Sequence, residues 1–428
     1  MSILEISNIG PIKHVKIELN KINVFMGQQG SGKSVIAKII SYCRWVEKTI
    51  VGNQSFGNFA ADKNFFINRL QTFHKFEGYF TDNSTISFYS EAIQFQLKDN
   101  IFTGDWVNRY NYKRNKVSYI PSERNLVVLP EIEKITFPDN YLRSFLFDWL
   151  DARKRYTPET PLKILNLDLE YYYTSNQESY IKNYDNNDVY KLLLTNTSSG
   201  IQSITPLMVM VDYLTDKIYE KDIDLSYIED ENKKESSQKI LRNIFINPAI
   251  EIIKKKKDKS LSEVELINEL FLAMDTWDEV PDINDLVTQY NTVRNNLLKT
   301  NNTHIVLEEA EQNLFPDSQR FLVYYLFSKI NNPRYDHSLT LTTHSPYILY
   351  SINNCILANK VHNNLNDDER SKVKCLNSMI PAESISIYQI ENGKINSIQN
   401  EMGMIESNYF DEQMTKIMDD FYILLNKL

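Results

Sequence analysis

Apolar and polar positions alternate at the start of the chain. Ile3 to Ile6 and Val15 to Leu19 read as short strands, and a third, Ile22-Asn23-Val24-Phe25-Met26, runs straight into a loop. After Ser34 the period changes: Val35, Ile36, Ile39, Ile40 and Val46 recur at helical spacing. Residues 51–120 are rich in Phe, Tyr and Asn, with strands expected at Thr85 to Tyr89 and Val117 to Ile120. The stretch from 131 to 195 mixes its signals. From 216 to 300 the pattern is polar and helical, with Ser262 and Glu265 spaced as a capping box. Strand–helix–strand alternation returns between His304 and Ile356. Near the end, Ser384 to Ile390 and Lys394 to Ile398 flank Asn392-Gly393, a hairpin signal, and an amphipathic helix is expected over 410–427.

Such alternation predicts an α/β core interrupted by a mainly helical lobe. Four segments follow: a core lobe at 1–130, the helical insertion at 131–300, a return to the core at 301–360, and a hairpin with a helix at 361–428.

Composition narrows the class. The chain has 428 residues, 42% hydrophobic and 24% charged, enough to bury a sizeable core. Its net charge of −9 does not advertise nucleic-acid binding, although basic runs occur at Lys254 to Lys257 and Arg153 to Arg155. Three scattered cysteines, Cys43, Cys355 and Cys375, point to a reducing compartment without a disulfide framework. No signal peptide or long apolar run is apparent, so a cytoplasmic protein without a membrane partner is expected.

Glycine is scarce, 11 in all, and its placement is informative. Three are packed into Gly27-Gln28-Gln29-Gly30-Ser31-Gly32-Lys33-Ser34, which fits G-x-x-x-x-G-K-[ST] between a predicted strand and a predicted helix. Bare backbone there lets successive N–H groups curl around phosphate oxygens, with the helix adding its positive end. Lys33 is expected to reach the β- and γ-phosphates of ATP, and Ser34 to ligate Mg²⁺. The binding set is Gly27, Gln28, Gly30, Ser31, Gly32, Lys33, Ser34 and Val35.

Two further strands end in reactive groups. His304-Ile305-Val306-Leu307 leads into Glu308 and Glu309; Glu308 is assigned to Mg²⁺ and Glu309 to polarising the attacking water, with Glu311 as an alternative. Ser338 to Thr343 ends in His344-Ser345-Pro346, one helix length later, as a neighbouring parallel strand would. His344 is placed to donate a hydrogen bond to the γ-phosphate.

With these motifs the chain resembles ABC-type ATPase heads of chromosome-structure and DNA-repair proteins. It looks closest to the smaller bacterial AAA-15/AAA-21-type proteins, related to the ATPase half of OLD nucleases. The matched pieces are the loop at 27–34, Ser198-Ser199-Gly200-Ile201-Gln202 as a signature motif, Glu308 to Pro316, and Thr343-His344-Ser345-Pro346. The opening Ile6-Ser7-Asn8-Ile9-Gly10-Pro11-Ile12 also looks like the first strands of such heads.

The resemblance implies a P-loop NTPase head in which two copies clamp ATP. Ser199 and Gly200 of one copy would contact the γ-phosphate held by the other, with Gln202 opening the helix that follows. It further implies at least a homodimer that controls a separate effector, a nuclease or toxin, as in Septu- or PARIS-like anti-phage systems. Glu308 stands where many such ATPases have Asp, and Ala310 where proline is usual. No Q-loop glutamine is found; Tyr119-Ile120-Pro121-Ser122-Glu123-Arg124-Asn125 stands in its place, with Arg124 read either as a phosphate contact or as a structural ion pair.

Other classes fit less well. An OLD-like ATPase acting directly on DNA is the alternative, but only about 80 residues follow His344, short for a further nuclease domain. Asp168 with Glu170 and Asp222 with Asp224 are spaced acids, but such pairs arise freely in an acidic chain. A non-enzymatic scaffold leaves Glu309 and His344 unexplained, and a small-molecule kinase leaves the signature unexplained. A transporter ATPase sits poorly with the insertions at 51–120 and 216–300.

Overall fold

In the computed structural model, residues 2–184, 190–220, 235, 237–256, 265 and 281–428 are described. Ser262, of the expected capping box, and the acids at 222 and 224 lie outside them.

A six-stranded sheet organises the molecule. Along the chain its members are β3 (Ile22–Gly27), β7 (Asn115–Ile120), β12 (Asn302–Leu307), β13 (Ser338–Thr343), β14 (Ile385–Glu391) and β15 (Lys394–Ser397). Their spatial order is β15-β14-β3-β13-β12-β7, and all but β15 run parallel. β3 lies between two neighbours and all six of its residues are buried, which suits its nearly continuous apolar run. Its one polar residue, Asn23, spends its amide on the backbone N–H and C=O of Asn20, closing the turn before the strand.

Successive side chains of a strand point to opposite faces, so β3 feeds two cores. Ile22, Val24 and Met26 join Ile305, Leu307, Leu339 and Leu341 on one face. Against that face pack α4 (Tyr141–Ala152), α5 (Ser199–Thr215), α8 (Pro316–Ile330) and α9 (Pro346–Val361). Phe25 joins the second core with Val35, Ile36, Ile39 and Val46 of α1 (Lys33–Asn53). That core also holds the inner face of a second, antiparallel sheet, ordered β2-β1-β4-β5-β6. Its strands are β1 (Ser2–Ile9), β2 (Ile12–Leu19), β4 (Phe80–Tyr89), β5 (Ile93–Lys98) and β6 (Ile101–Trp106), and α2 (Gly57–Ala61) and α3 (Phe65–His74) precede β4.

The hairpin of β14 and β15 turns on Asn392 and Gly393, both with positive φ, as its sequence predicts. It also ties the two sheets together: the Gly393 carbonyl accepts from the N–H groups of Lys13 and His14, at 2.9 and 3.2 Å. The last helices are α10 (Asp367–Lys372) and α11 (Tyr409–Leu425); α6 (Asn247–Lys256) and α7 (Pro281–Leu297) fall in the polar helical stretch.

The 131–300 segment, expected as a mainly helical lobe, holds α4 to α7 among its described residues and also a small sheet that its sequence did not announce. Between α4 and α5 the chain forms a four-stranded antiparallel sheet, from β8 (Leu162–Lys163) through β9 (Leu169–Tyr173) and β10 (Ser179–Asn183) to β11 (Lys191–Leu193). Its tyrosines explain the preference for strand: Tyr172 and Tyr180 are register partners whose rings stack at 5.7 Å, a cross-strand aromatic pair.

Candidate nucleotide site

The carboxyl ends of parallel strands are where open α/β sheets bind ligands, because loops and helix N-termini converge there. Here register fixes what converges. Met26 on β3 pairs with Thr343 on β13, and Leu341 on β13 pairs with Leu307 on β12. The loop after Gly27, the residue His344 and the acids Glu308 and Glu309 therefore leave one edge of the sheet side by side.

The glycine-rich loop is held in a shape that side chains would block. Gly27, Gly30 and Gly32 have φ of 152°, 76° and 108°, in the region that favours glycine. A Cβ on Gly27 would lie 2.5 Å from the Ile390 carbonyl, and one on Gly32 would lie 2.5 Å from Ile12 Cδ1. A Cβ on Gly30 would meet nothing within 4 Å, so that stretch of backbone is open to an incoming group. No side chain caps the N-terminus of α1, which leaves its first amides to a ligand. Lys33 is buried and folds back, donating from Nζ to the carbonyls of Gly27 at 2.9 Å and Gln28 at 2.7 Å. Burial lowers its pKa to about 8, against the pull of Glu309 and Glu311. A cation so placed, beside uncapped amides, is suited to an anion.

The two glutamates face different ways. Glu308 is buried, and burial raises its pKa, while Lys38, Tyr119 and Ser34 pull it down. Its Oε1 is buried without a hydrogen-bond partner among the described residues, as is Ser31 Oγ in the glycine loop. Orphaned oxygens of this kind mark a place that a ligand or ion completes. A hydroxyl and a carboxylate are also the hard oxygen donors that suit Mg²⁺. Glu309 instead faces His344, Oε1 to Nε2 at 3.6 Å, and its pKa is lowered chiefly by that imidazole. It sits at φ 43°, an uncommon conformation for a side-chain-bearing residue. Its backbone N–H donates to Thr342 Oγ1 at 3.0 Å.

A strand–GxxxxGKS–helix unit at the end of a parallel sheet is the P-loop arrangement. No known family model matches the chain, and no curated protein does. Loose structural likenesses exist. The SMC head domain from Thermotoga maritima aligns over 93% of this chain and 98% of its own, at 9% identity and a TM-score of 0.35. An SMC head bound to the C-terminal winged-helix domain of ScpA aligns over 93% and 97%, at 10% identity and 0.35. The recombination mediator RecF with ATP aligns over 92% and 98%, at 10% identity and 0.27. At these values the neighbours carry no weight for the chemistry, which follows from the residues themselves.

The sequence-predicted residues separate into those at the sheet edge and those with structural duties. Gly27, Gln28, Gly30, Ser31, Gly32, Lys33, Ser34, Glu308, Glu309 and His344 belong to the converging elements. Val35 turns its side chain into the second core. Glu311, the alternative base, is engaged elsewhere: its carboxylate accepts from the Thr343 hydroxyl at 2.9 Å and from the His344 N–H, fixing the turn that carries the histidine.

Ser199 and Gly200 open α5, with Ser198 as an N-cap that makes no side-chain bond. Ser198 and Ser199 are exposed. Gln202 spends its amide on the Thr195 and Thr197 carbonyls, at 2.9 and 3.0 Å. A Cβ on Gly200 would lie 2.9 Å from the Asn313 carbonyl of the same chain, so this glycine has a packing reason within one copy.

Arg124 lies inside the fold. It is fully buried, and its contacts are backbone carbonyls. Arg153, of the second basic run, is likewise buried, paired with Glu133 and set over the Tyr173 ring. Asp168 and Glu170 lie at the turn into β9 and on that strand.

Proposed function

We propose that this chain is an ABC-type ATPase that binds Mg-ATP where β3, β12 and β13 end and hydrolyses it to ADP and phosphate. The observation that carries the reading is the convergence of three things at one sheet edge. These are an uncapped glycine loop with a buried lysine, a buried carboxylate with an unpaired oxygen, and a half-buried glutamate facing a histidine. Ser34 and Glu308 would hold Mg²⁺, which when bound neutralises charge on the phosphate oxygens. Lys33 exchanges the loop carbonyls for phosphate oxygens. Glu309 orients a water and takes its proton as the water oxygen bonds to the γ-phosphorus and the bond to the ADP oxygen breaks. His344, which faces Glu309, donates to the γ-phosphate.

In the same reading the working unit is a homodimer, with Ser199 and Gly200 of one copy meeting the phosphate bound by the other. Its support is the exposed, uncapped start of α5, an anion-seeking helix N-terminus. The finer role, a nucleotide-dependent dimer that senses a trigger and governs a separate effector such as an anti-phage nuclease, rests on the motif resemblance. Phosphate release from Mg-ATP, compared between the native chain and Glu309→Gln, tests the reaction. Equal and negligible release by both would refute it.

A further inference from the structure

Arg124 has no access to solvent, and among the described residues no carboxylate is in ion-pair contact with it. Its charge is instead spread over main-chain oxygens. Nη1 donates to the carbonyls of Glu308 at 3.0 Å and Pro121 at 3.4 Å, and Nη2 to those of Glu309 at 2.9 Å and Ala310 at 3.4 Å. Burial lowers its pKa to about 10, with Glu311, Glu309 and Glu308 opposing, so it stays protonated at neutral pH. Burying a guanidinium is costly, and an apolar side chain would fill the space more cheaply. What the planar fork adds is direction, since several carbonyls are fixed at once in one geometry.

The fold explains how it gets there. β7 pairs in parallel with β12, with Ile120 opposite Leu307, and the Glu308 N–H continues the ladder onto the Ile120 carbonyl at 3.0 Å. Pro121 ends β7, and the chain turns so that Arg124 reaches under the end of the neighbouring strand. There Glu309 is held at φ 43°, a conformation that persists only where its surroundings enforce it. Arg124 grips the carbonyl side of that residue and Thr342 its N–H. The turn so fixed sends Glu308 toward Ser34 and Glu309 toward His344.

We infer that Arg124 is a positioning residue for hydrolysis, one that never touches the nucleotide but sets the backbone from which Glu309 meets the attacking water. The inference rests on the ATPase reading above.

The test uses the full chain with Arg124→Lys and Arg124→Met, each assayed well below its own melting temperature. Mg-ATP affinity and kcat are measured separately, also in the Glu309→Gln background. Displacement of a catalytic group by about 1 Å can lower turnover about 100-fold. A fall in kcat of that order is expected, with ATP affinity unchanged and partial recovery in the lysine variant. With Glu309 already replaced, the same changes should lower the residual rate little further. Thr342→Val, which removes the second grip at nearly constant volume, should show the same split and serves if the Arg124 variants do not fold. Unchanged kcat per ATP-binding molecule, affinity falling together with kcat, or full additivity with Glu309→Gln would each overturn the positioning role. If the native chain hydrolyses no faster than Glu309→Gln, the ATPase reading itself fails. A defect in Glu309→Gln beside normal turnover in Arg124→Lys removes only this inference.

Discussion

The Glu309 carboxylate lies 3.6 Å from Nε2 of His344, joining the ends of two parallel strands. The imidazole is the main reason the acid's pKa falls below its usual value, so the carboxylate is ionised at neutral pH and able to accept a proton. General-base contributions are typically about 10²- to 10⁴-fold. Glu309→Gln keeps the shape and removes the base, so it should bind Mg-ATP normally and hydrolyse it slower by a factor in that range. Single-turnover hydrolysis beside equilibrium binding separates the two effects. Normal turnover would take the base role away from Glu309, and the engagement of Glu311 with Thr343 and His344 leaves that residue a poor substitute.

Lys33→Ala addresses binding rather than chemistry. In the free protein the ammonium satisfies the Gly27 and Gln28 carbonyls; with ATP bound it would satisfy phosphate. A hydrogen bond to a charged group is worth about 1.5–3 kcal/mol, or roughly 10- to 100-fold in affinity. A loss of at least that size is expected in calorimetric titration with Mg-ATP. Retained tight binding would mean that the loop is not the phosphate cradle.

The pKa of Lys33 makes binding sensitive to pH on the alkaline side. Burial holds it at about 8, so above that value the free protein carries a neutral amine, while bound phosphate favours the ammonium. Binding should therefore take up a proton above pH 8, and affinity should fall as pH rises, with a slope approaching about tenfold per pH unit. Below pH 8 this contribution is fully present. Titration in buffers of different ionisation enthalpy measures the uptake directly. Lys33→Arg, which stays charged, should abolish it, and a native profile flat across pH 8 would contradict the assignment.

How much of this was readable from sequence depended on distance along the chain. β3, the loop and α1 were legible because the period change from strand to helix and the glycine spacing are local signals. β12 and β13 were legible for the same reason, since one helix separates them and parallel pairing follows. Arg124 was not: its bond to the Glu308 carbonyl spans 184 residues, and no periodicity announces that β7 will edge the same sheet. The antiparallel sheet of β8 to β11 was missed because its strands are two to five residues long and only partly buried, too short for alternation to register. Gly200 reads in sequence as part of a signature-like motif, but its contact with Asn313 within one chain could come only from the fold.

That contact decides which variant can test the proposed trans contact. Gly200→Ala would push a methyl to 2.9 Å from the Asn313 carbonyl, and overpacking of this kind costs about 1–3 kcal/mol. It should lower the melting temperature of the nucleotide-free monomer, so a dimerisation defect in it would be ambiguous. Ser199 is exposed at the start of α5, so Ser199→Arg should leave the melting temperature unchanged. Placed in the Glu309→Gln background to keep ATP intact, it should bind Mg-ATP with native affinity. The bulky cation at the helix N-terminus would nevertheless keep a second head from closing over the phosphate. Light scattering in Mg-ATP should then show a dimer for Glu309→Gln alone and a monomer for the double variant. An ATP-dependent dimer in both would place the interface elsewhere than α5.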